Sequence, residues 1–541
     1  MKNVKVLDCT LRDGGRIINC AFPDSEIKDI SYRLADANID IVEVGFLRDA
    51  AKVDYQGSST FFTDVDQIRP FVDHSKNTQY VAFIDYGMFD FNTLKPCDGT
   101  SIDGLRIGFT RNNFENDKKE ILECLEEVKQ KGYKLFVQGV NSLGYTDREL
   151  LGIVDIVNQI QPDGFGIVDT YGAMYMDDVD RLYTIVDHNL DENIAIDFHS
   201  HNNYQLSFAF AQEIIRLSNG KREVIIDGTL NGMGKCAGNL NTELLVDYLV
   251  RKRNYDYDFD AILDIIDDHI YNYHLQHPWG YSIPALMGGI YRSHPNNIIY
   301  LTEKFRLATK DIKYIISMID PDKRMRYDYD NIQRLYQEYN HVKVDDKEAL
   351  NSLEKMLKGK NILLLMPGQS IKEHTDEILK LIEVKQLFVI TVNFCDQVFD
   401  SCHSLAFWGS QKRYEHYADS RNNTTSLITS NVESDNQDDI IVNYDSFIDR
   451  TEEYSDNASL MLMHILQRIG VTKYYVAGFD GFSSTGSYYN KTDFSEERFR
   501  SQYDAINKGI AHQLSKFAES LERPEEIEFI TPSIYSNIFK R

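Results

Sequence analysis

Leu7-Asp8-Cys9-Thr10-Leu11-Arg12-Asp13-Gly14-Gly15-Arg16 is the stretch that decides the fold. A β-rich run, Val4 to Thr10, leads into a cation, a carboxylate and two glycines. The glycines let the backbone turn sharply and approach a ligand closely. Arg12 and Asp13 therefore fall at the C-terminal end of a first strand, where an α/β barrel carries its chemistry. A second stretch complements it: Ile196-Asp197-Phe198-His199-Ser200-His201-Asn202-Asn203. On a strand, residues two apart face the same side. His199 and His201 can thus point together at one metal, with Asp13 as third ligand and further positions open to substrate.

Working outward, short apolar runs alternate with amphipathic stretches from Lys2 to about Val250. Strands are expected at Val4–Cys9, Ile39–Phe46, Gln79–Ile84, Gly104–Phe109, Lys134–Val140, Gly164–Asp169, Ile194–His199 and Val224–Gly228. Helices are expected at Glu115–Gln130, Asp147–Ile160, Met176–Asp187, Tyr204–Leu217 and Thr242–Val250. Repeated strand–helix units imply a parallel sheet, and about eight of them imply a TIM (β/α)8 barrel, with an open doubly wound sheet as the alternative. Polar residues bunch where strands end, among them Glu43, Asp85, Gln138, Asp169 and Asp227. A barrel brings them to one mouth; an open sheet spreads them out.

The reading divides the chain into a barrel over 1–254, a helical extension over 255–345, a linker over 346–360 and a second α/β domain over 361–541. In the extension, helices are expected at Phe259–Tyr273, Ile283–Tyr291, Ile298–Arg306 and Asp311–Met318, with a further run at Lys347–Met356. The last domain opens with a strand at Asn361–Met366, the turn Pro367-Gly368-Gln369-Ser370 and a helix Ile371–Ile382. Strands at Leu387–Val392 and Tyr474–Ala477 follow, and 420–437 reads as loop.

Net charge is −26, which argues against a nucleic-acid partner. The 33 tyrosines and 29 phenylalanines suit a packed globular chain. Seven cysteines with no C-x-x-C spacing give no disulfide framework or zinc ribbon, and a reducing cytoplasm fits best. No signal peptide is expected ahead of the first strand, and no apolar run approaches the roughly 20 residues that span a bilayer. Assembly into a homo-oligomer is left open.

Thr10-Leu11-Arg12-Asp13-Gly14, His199-Ser200-His201-Asn202-Asn203 and the segment Gly232 to Glu243 resemble the three signatures of the HMGL-like (DRE-TIM) metallolyases. The likeness spans about residues 3–300. It implies a divalent ion, usually Mn²⁺ or Mg²⁺ with Zn²⁺ or Co²⁺ also compatible with the ligand types, held by Asp13, His199 and His201. It makes Arg12 the enolate stabiliser and sets Asn239 at or just outside the metal shell. Glu43 and Asp169 would tune the site or cap their strands, and Glu43, Gln138 and Asp169 are the candidate substrate-side residues. Val168–Met174 and Gly288–Ser293 look like segments of the 4-hydroxy-2-oxovalerate aldolase branch, the second bearing its active-site tyrosine as Tyr291. That branch carries a histidine base three residues after the metal aspartate; here Arg16 stands there. Arginine stays protonated and cannot be the base, but it can bind a carboxylate or phosphate. Tyr291, His294 and water are left as proton acceptors. Cys236 reads as a small packed residue.

In the second domain, Gly368-Gln369-Ser370 ahead of a helix is a candidate phosphate cradle. With Asn393 and Asp480 at strand ends, the segments look like the nucleotide-binding side of bacterial sialyltransferase-like Rossmann domains, implying a nucleotide or nucleotide-sugar ligand. The leading expectation is a metal-dependent aldolase forming or cleaving a 4-hydroxy-2-oxo acid through a pyruvate enolate, with an aldehyde partner, in sugar or surface-polysaccharide synthesis. The alternatives are Claisen-type acyl-CoA chemistry and a non-catalytic barrel attached to a nucleotide-sugar-binding domain.

Overall fold

The computed structural model describes residues 3–52, 57–303, 309–339, 344–399, 401–420, 424–434, 436–449, 454–483, 500 and 502–540. The chain forms two compact units, Met1–Ile332 and Gln333–Arg541.

The first unit is built on β1 (Val4–Asp8), β2 (Ile41–Leu47), β3 (Phe61–Phe62), β4 (Gln79–Asp85), β5 (Gly104–Phe109), β6 (Lys134–Gly139), β7 (Gly164–Asp169), β8 (Ala195–Ser200) and β9 (Val224–Gly228). All pair in parallel, in the order β1-β9-β8-β7-β6-β5-β4-β2, and β1 also pairs with β2, so eight strands close into a barrel. The two-residue β3, which the sequence did not announce, adds to the edge of β2. Closure rules out the open doubly wound sheet.

The strands are apolar on both faces because both are covered. Along β8 the inward residues are Ala195, Asp197 and His199, and along β9 Ile225 and Asp227. Leu7, Ile41, Val81, Phe136, Ala195 and Ile225 fill one end of the interior with apolar side chains. Toward the other end the interior turns polar. Arg106, on β5, enters it and meets Glu43 Oε1 at 3.1 Å, Asp197 Oδ2 at 2.7 Å and Asp227 Oδ2 at 2.6 Å.

The surrounding helices follow from local signals. Helix Asp147–Ile160 starts where Thr146 and Glu149 form a reciprocal capping box, and it buries Leu150, Ile153, Val154 and Val157 on one face. The expected helix Glu115–Gln130 is interrupted: Thr110 and Asn113 cap a separate helix Arg111–Asn116, and Lys118–Gln130 follows. Phe259–Gln276 is one helical path with a π-helical segment at Ile266–Ile270, and Ile283–Tyr291 and Thr309–Met318 follow it.

The second unit has seven parallel strands: β10 (Ile362–Leu365), β11 (Phe388–Val392), β12 (His403–Trp408), β13 (Ser426–Thr429), β14 (Ile440–Val442), β15 (Tyr474–Ala477) and β16 (Ile527–Phe529). Their order is β14-β13-β12-β11-β10-β15-β16, so the direction of winding reverses between β10 and β15. Four of these strands were not legible. β13 lies in the Asn- and Ser-rich stretch read as loop; it is a strand because Leu427 and Ile428 enter separate apolar clusters on the two faces of the sheet. The stretch read as a linker over 346–360 holds helix Lys347–Leu357, whose Leu353 and Leu357 are buried in this unit's core.

Arg106 is the only cation that meets all three of its buried carboxylates among the described residues. Replacing it with methionine leaves them uncompensated. Urea unfolding of Arg106→Met should show the barrel destabilised by about 3–5 kcal/mol, the usual cost of removing one partner from a buried ion pair.

Candidate metal centre

The turn after β1 is wound tightly around one carbonyl. Cys9 O accepts the amides of Arg12, Asp13 and Gly14 at 3.1, 2.9 and 3.2 Å. The Thr60 hydroxyl donates to Leu11 O at 2.6 Å and fixes the turn from outside. Arg12 and Asp13 are thereby held at the barrel mouth, both buried.

Asp13 and the two histidines converge. His201 Nε2 lies 3.1 Å and His199 Nε2 3.9 Å from Asp13 Oδ2. One ligand atom from each of the three residues lies within 4.8 Å of the others. Each ring is oriented through its other nitrogen: His199 Nδ1 is 2.9 Å from Asp227 Oδ2, and His201 Nδ1 is 3.2 Å from the Asp169 carbonyl. Nδ1–H donation to those acceptors turns both Nε2 atoms toward the carboxylate, where a metal ion would take the place of the His201 Nε2 proton that bonds Asp13 Oδ2.

Asn239 completes the group. Gly238, at φ 76°, packs where an added Cβ would sit 2.0 Å from Gly232 O, so only glycine allows this close return of the loop. The loop brings Asn239 Nδ2 to 3.1 Å from Asp13 Oδ2 and leaves its Oδ1 buried with no hydrogen-bond partner.

The electrostatics suit a cation. Burial would raise the Asp13 carboxyl, but the Arg12 guanidinium and the His201 hydrogen bond hold it well below the usual carboxylate range. Burial pushes His199 down to about 3, so its imidazole is neutral. Burial also lowers His201, but the bond to Asp13 outweighs it and the net direction is up. Burial pushes Asp197 up to about 7 against the pull of Arg106. Two guanidiniums, Arg12 and Arg106, thus meet four buried carboxylates, Asp13, Glu43, Asp197 and Asp227. Carboxylates outnumber guanidiniums in this buried network, and a divalent ion between the Nε2 atoms and Asp13 would offset the excess. The donor set, two imidazoles and a carboxylate with an orphaned amide oxygen beside them, fits a divalent metal.

Arg12 is set by three contacts. Its Nη1 donates to Asp13 Oδ1 at 2.6 Å, its Nε to Glu43 Oε2 at 2.5 Å, and its guanidinium lies 4.5 Å from the Phe83 ring centre. Nη2 is left for an oxyanion at the mouth.

Other expected site residues have different surroundings. Both oxygens of Glu43 are engaged by Arg12 and Arg106, so it positions Arg12. Gln138 donates to Asp197 inside the barrel at 2.6 Å. Asp169 accepts the amides of Ala173 and Met174 at 2.9 and 3.2 Å and caps the turn after β7, while its carbonyl orients His201. These three serve groups of the protein itself. Tyr291 ends its helix with the Arg324 guanidinium 5.4 Å from its ring centre. Burial pushes the Cys236 thiol up to about 12, as for a packed residue. Cys9, His199 and Asp227 also cluster, but burial pushes the Cys9 thiol well up and its S–H donates to Gly228 O.

Arg106 and Arg48 were missed. An arginine inside the apolar run Gly104-Leu105-Arg106-Ile107 was the one signal for the first; Arg48, directly after β2, gave none. In the second unit the amide of Ser370 donates to Asp480 Oδ2 at 2.7 Å, and the Ser370 hydroxyl donates to Asp480 Oδ1. The expected phosphate cradle at Gly368–Ser370 is thus closed by the protein's own carboxylate. Asn393, at φ 58°, follows β11 and accepts the Gly409 amide at 3.0 Å.

Residues 3–268 match the HMGL-like family. The barrel is an HMGL-like domain. Over this part the chain is 28% identical across 260 residues to oxaloacetate decarboxylase of Mycobacterium tuberculosis, covering 48% of this chain and 74% of that protein. It is 26% identical across 250 residues to 4-hydroxy-2-oxovalerate aldolase 4 of Rhodococcus opacus, covering 45% and 67%. Likeness to 4-hydroxy-2-oxovalerate aldolase of Carboxydothermus hydrogenoformans is 24% over 325 residues, covering 58% and 90%. No helix among the described residues is long and apolar enough to cross a membrane.

If Asp227 orients His199 for a metal, Asp227→Asn should weaken Mn²⁺ binding by about 10- to 100-fold, the usual effect of losing such an orienting partner. Calorimetric titration with Mn²⁺ reads this directly, and a melting curve checks that the variant is folded.

Proposed function

We propose that the barrel unit of this HMGL-like protein is a divalent-metal-dependent carbon–carbon lyase that cleaves or forms a 4-hydroxy-2-oxo acid through a pyruvate enolate. The observation that carries the reading is the joint orientation of His199 and His201, with Nδ1 tied to Asp227 and to the Asp169 carbonyl and Nε2 turned to Asp13. Asp13, His199 and His201, with Asn239 beside them, would hold Mn²⁺ or Mg²⁺, which supplies Lewis acidity to the 2-oxo acid head. Arg12 then stabilises the negative charge that develops on the keto oxygen as the C3–C4 bond breaks and its electron pair moves into the enolate. Burial of Arg12 and its fixing by Glu43 and Asp13 mean that it need not reorganise during the reaction. Tyr291, at the end of its helix, is the residue proposed to relay the hydroxyl proton.

A second reading, decarboxylation of a 2-oxo acid bearing a C4 carboxylate, is favoured by Arg16. Its Nε lies 3.3 Å from Asp13 Oδ1, and a permanently protonated group there cannot take a hydroxyl proton. Loss of CO2 needs no such base, since the electron pair of the breaking bond passes straight into the enolate. For the second unit we propose a ligand, a nucleotide or nucleotide-sugar, at the carboxyl ends of β10 and β15 outside the turn that Asp480 closes, because open parallel sheets bind ligands where their winding reverses.

Both readings of the barrel share the enolate. Exchange of the C3 protons of pyruvate in deuterated water, followed by NMR, is expected with Mn²⁺ and wild-type protein. It should fall at least 100-fold with a chelator or in His199→Ala. Metal binding without exchange would overturn the lyase reading. Product analysis with 4-hydroxy-2-oxovalerate and with oxaloacetate then separates aldol cleavage from decarboxylation.

A further inference from the structure

Three cations line the mouth beside the carboxylate–imidazole cluster. Arg16 comes from the turn Gly14–Ile18 after β1, Arg48 from the residue after β2, and Lys235 from the glycine-rich loop after β9. Arg16 and Arg48 are held together by one aromatic ring and one carboxylate. Their guanidiniums lie 4.5 and 4.7 Å from the centre of the Phe46 ring, and Arg48 also lies 4.7 Å from that of Phe61. Their Nη2 atoms lie 3.8 and 2.7 Å from Asp85 Oδ2. Lys235 is half-buried, and its amine donates to Asn296 Oδ1 at 3.0 Å, a neutral partner.

The charges do not cancel. Arg16 shares Asp13 with Arg12 and His201, and Asp85 is the one carboxylate among the described residues that faces both Arg16 and Arg48. Lys235 has no ion pair among the described residues, and Arg48 Nε is buried with no hydrogen-bond partner. The surplus is felt nearby. Burial lowers the Lys235 amine, and the charge of Arg16 lowers it further. Burial, then Lys235 and Arg16, push His294 down to about 4, so this neighbour adds no charge of its own. Holding like charges together at a half-buried mouth is unfavourable unless an anion joins them. Guanidiniums stacked on an aromatic ring are also pre-organised for a planar or tetrahedral oxyanion.

We propose that Arg16, Arg48 and Lys235 form the pocket for a second anionic group on the substrate, which is therefore a 2-oxo acid with a distal carboxylate or phosphate rather than a neutral aldehyde adduct. The proposal rests on the lyase reading for the placement of the 2-oxo acid head. Arg16 links the two ends: its Nε faces Asp13 and its Nη2 faces Asp85. A head at the metal ligands would thus direct its far end toward Arg48. The departure from the aldolase pattern at Arg16 becomes a determinant of specificity.

The test is binding without turnover, on the full chain with Mn²⁺. Calorimetric titrations compare 2-oxoglutarate, 4-phosphono-2-oxobutanoate and 2-oxovalerate, which have similar length and differ at the far end, together with pyruvate. At least one of the two dianions should bind 30-fold or more tightly than 2-oxovalerate; whichever is tighter identifies the distal group as carboxylate or phosphate. In Arg48→Met/Lys235→Met the preference should fall to within threefold, and Lys235→Gln, which can still bond Asn296, should give an intermediate ratio. The ratio carries the test, because a general loss of structure weakens all ligands together. Pyruvate binding with no preference for dianions in the wild type, or a preference unchanged in the variants, overturns the anion pocket and leaves the lyase reading standing. Absence of binding by all four 2-oxo acids overturns both.

Discussion

The barrel interior depends on a guanidinium placed where a hydrocarbon would normally be. Arg106 ties Glu43, Asp197 and Asp227 together inside the strands, and each of these carboxylates has a second task. Glu43 holds Arg12, Asp227 orients His199, and Asp197 receives Gln138. Arg12 in turn holds Asp13, which faces both histidines. The circuit Asp13–Arg12–Glu43–Arg106–Asp227–His199 closes on itself. In a low-dielectric interior such a network is stable only when every member has its partner. That constraint keeps the metal ligands in place more firmly than their own loops could.

The same circuit explains why the site favours a cation and why its far side favours an anion. Inside, four carboxylates meet two guanidiniums, so a positive charge is drawn between Asp13 and the imidazoles. At the rim the balance reverses, with Arg16 and Arg48 sharing Asp85 and Lys235 bonded only to the neutral Asn296 among the described residues. A substrate with a chelating 2-oxo acid head and a charged tail matches both ends of this gradient. The two readings of the barrel chemistry, aldol cleavage and decarboxylation, differ in whether a base is needed at the position that Arg16 holds.

Much of the first unit was legible from the sequence. Eight apolar runs with helices between them implied a parallel sheet, and the eight expected strands either coincide with the structure or differ by one or two residues at their ends. The candidate metal-binding cluster could be noticed because chemistry of this kind is written locally: Arg12-Asp13 after a strand, and His-x-His on another. Glu43, Gln138 and Asp169 were noticed as polar strand ends, but sequence could not say that their oxygens and amides would be taken by Arg106, Asp197 and the Ala173–Met174 turn. In the second unit β13 was hidden, because a four-residue strand buried on both faces has neither the length nor the alternation that marks it.

The sequence by itself determined the kind of fold and the identity of the residues that could bind a metal, because strand periodicity and residue chemistry are local properties. Only the tertiary structure decided the closure of β1 onto β2, the placing of Arg106 among three carboxylates, and the meeting of Arg16 and Arg48 on the Phe46 ring. Those residues lie far apart along the chain, and no local pattern records which charges will share a dry interior. Ring closure brings them together, and the cost of burying unmatched charge then dictates what each must bind.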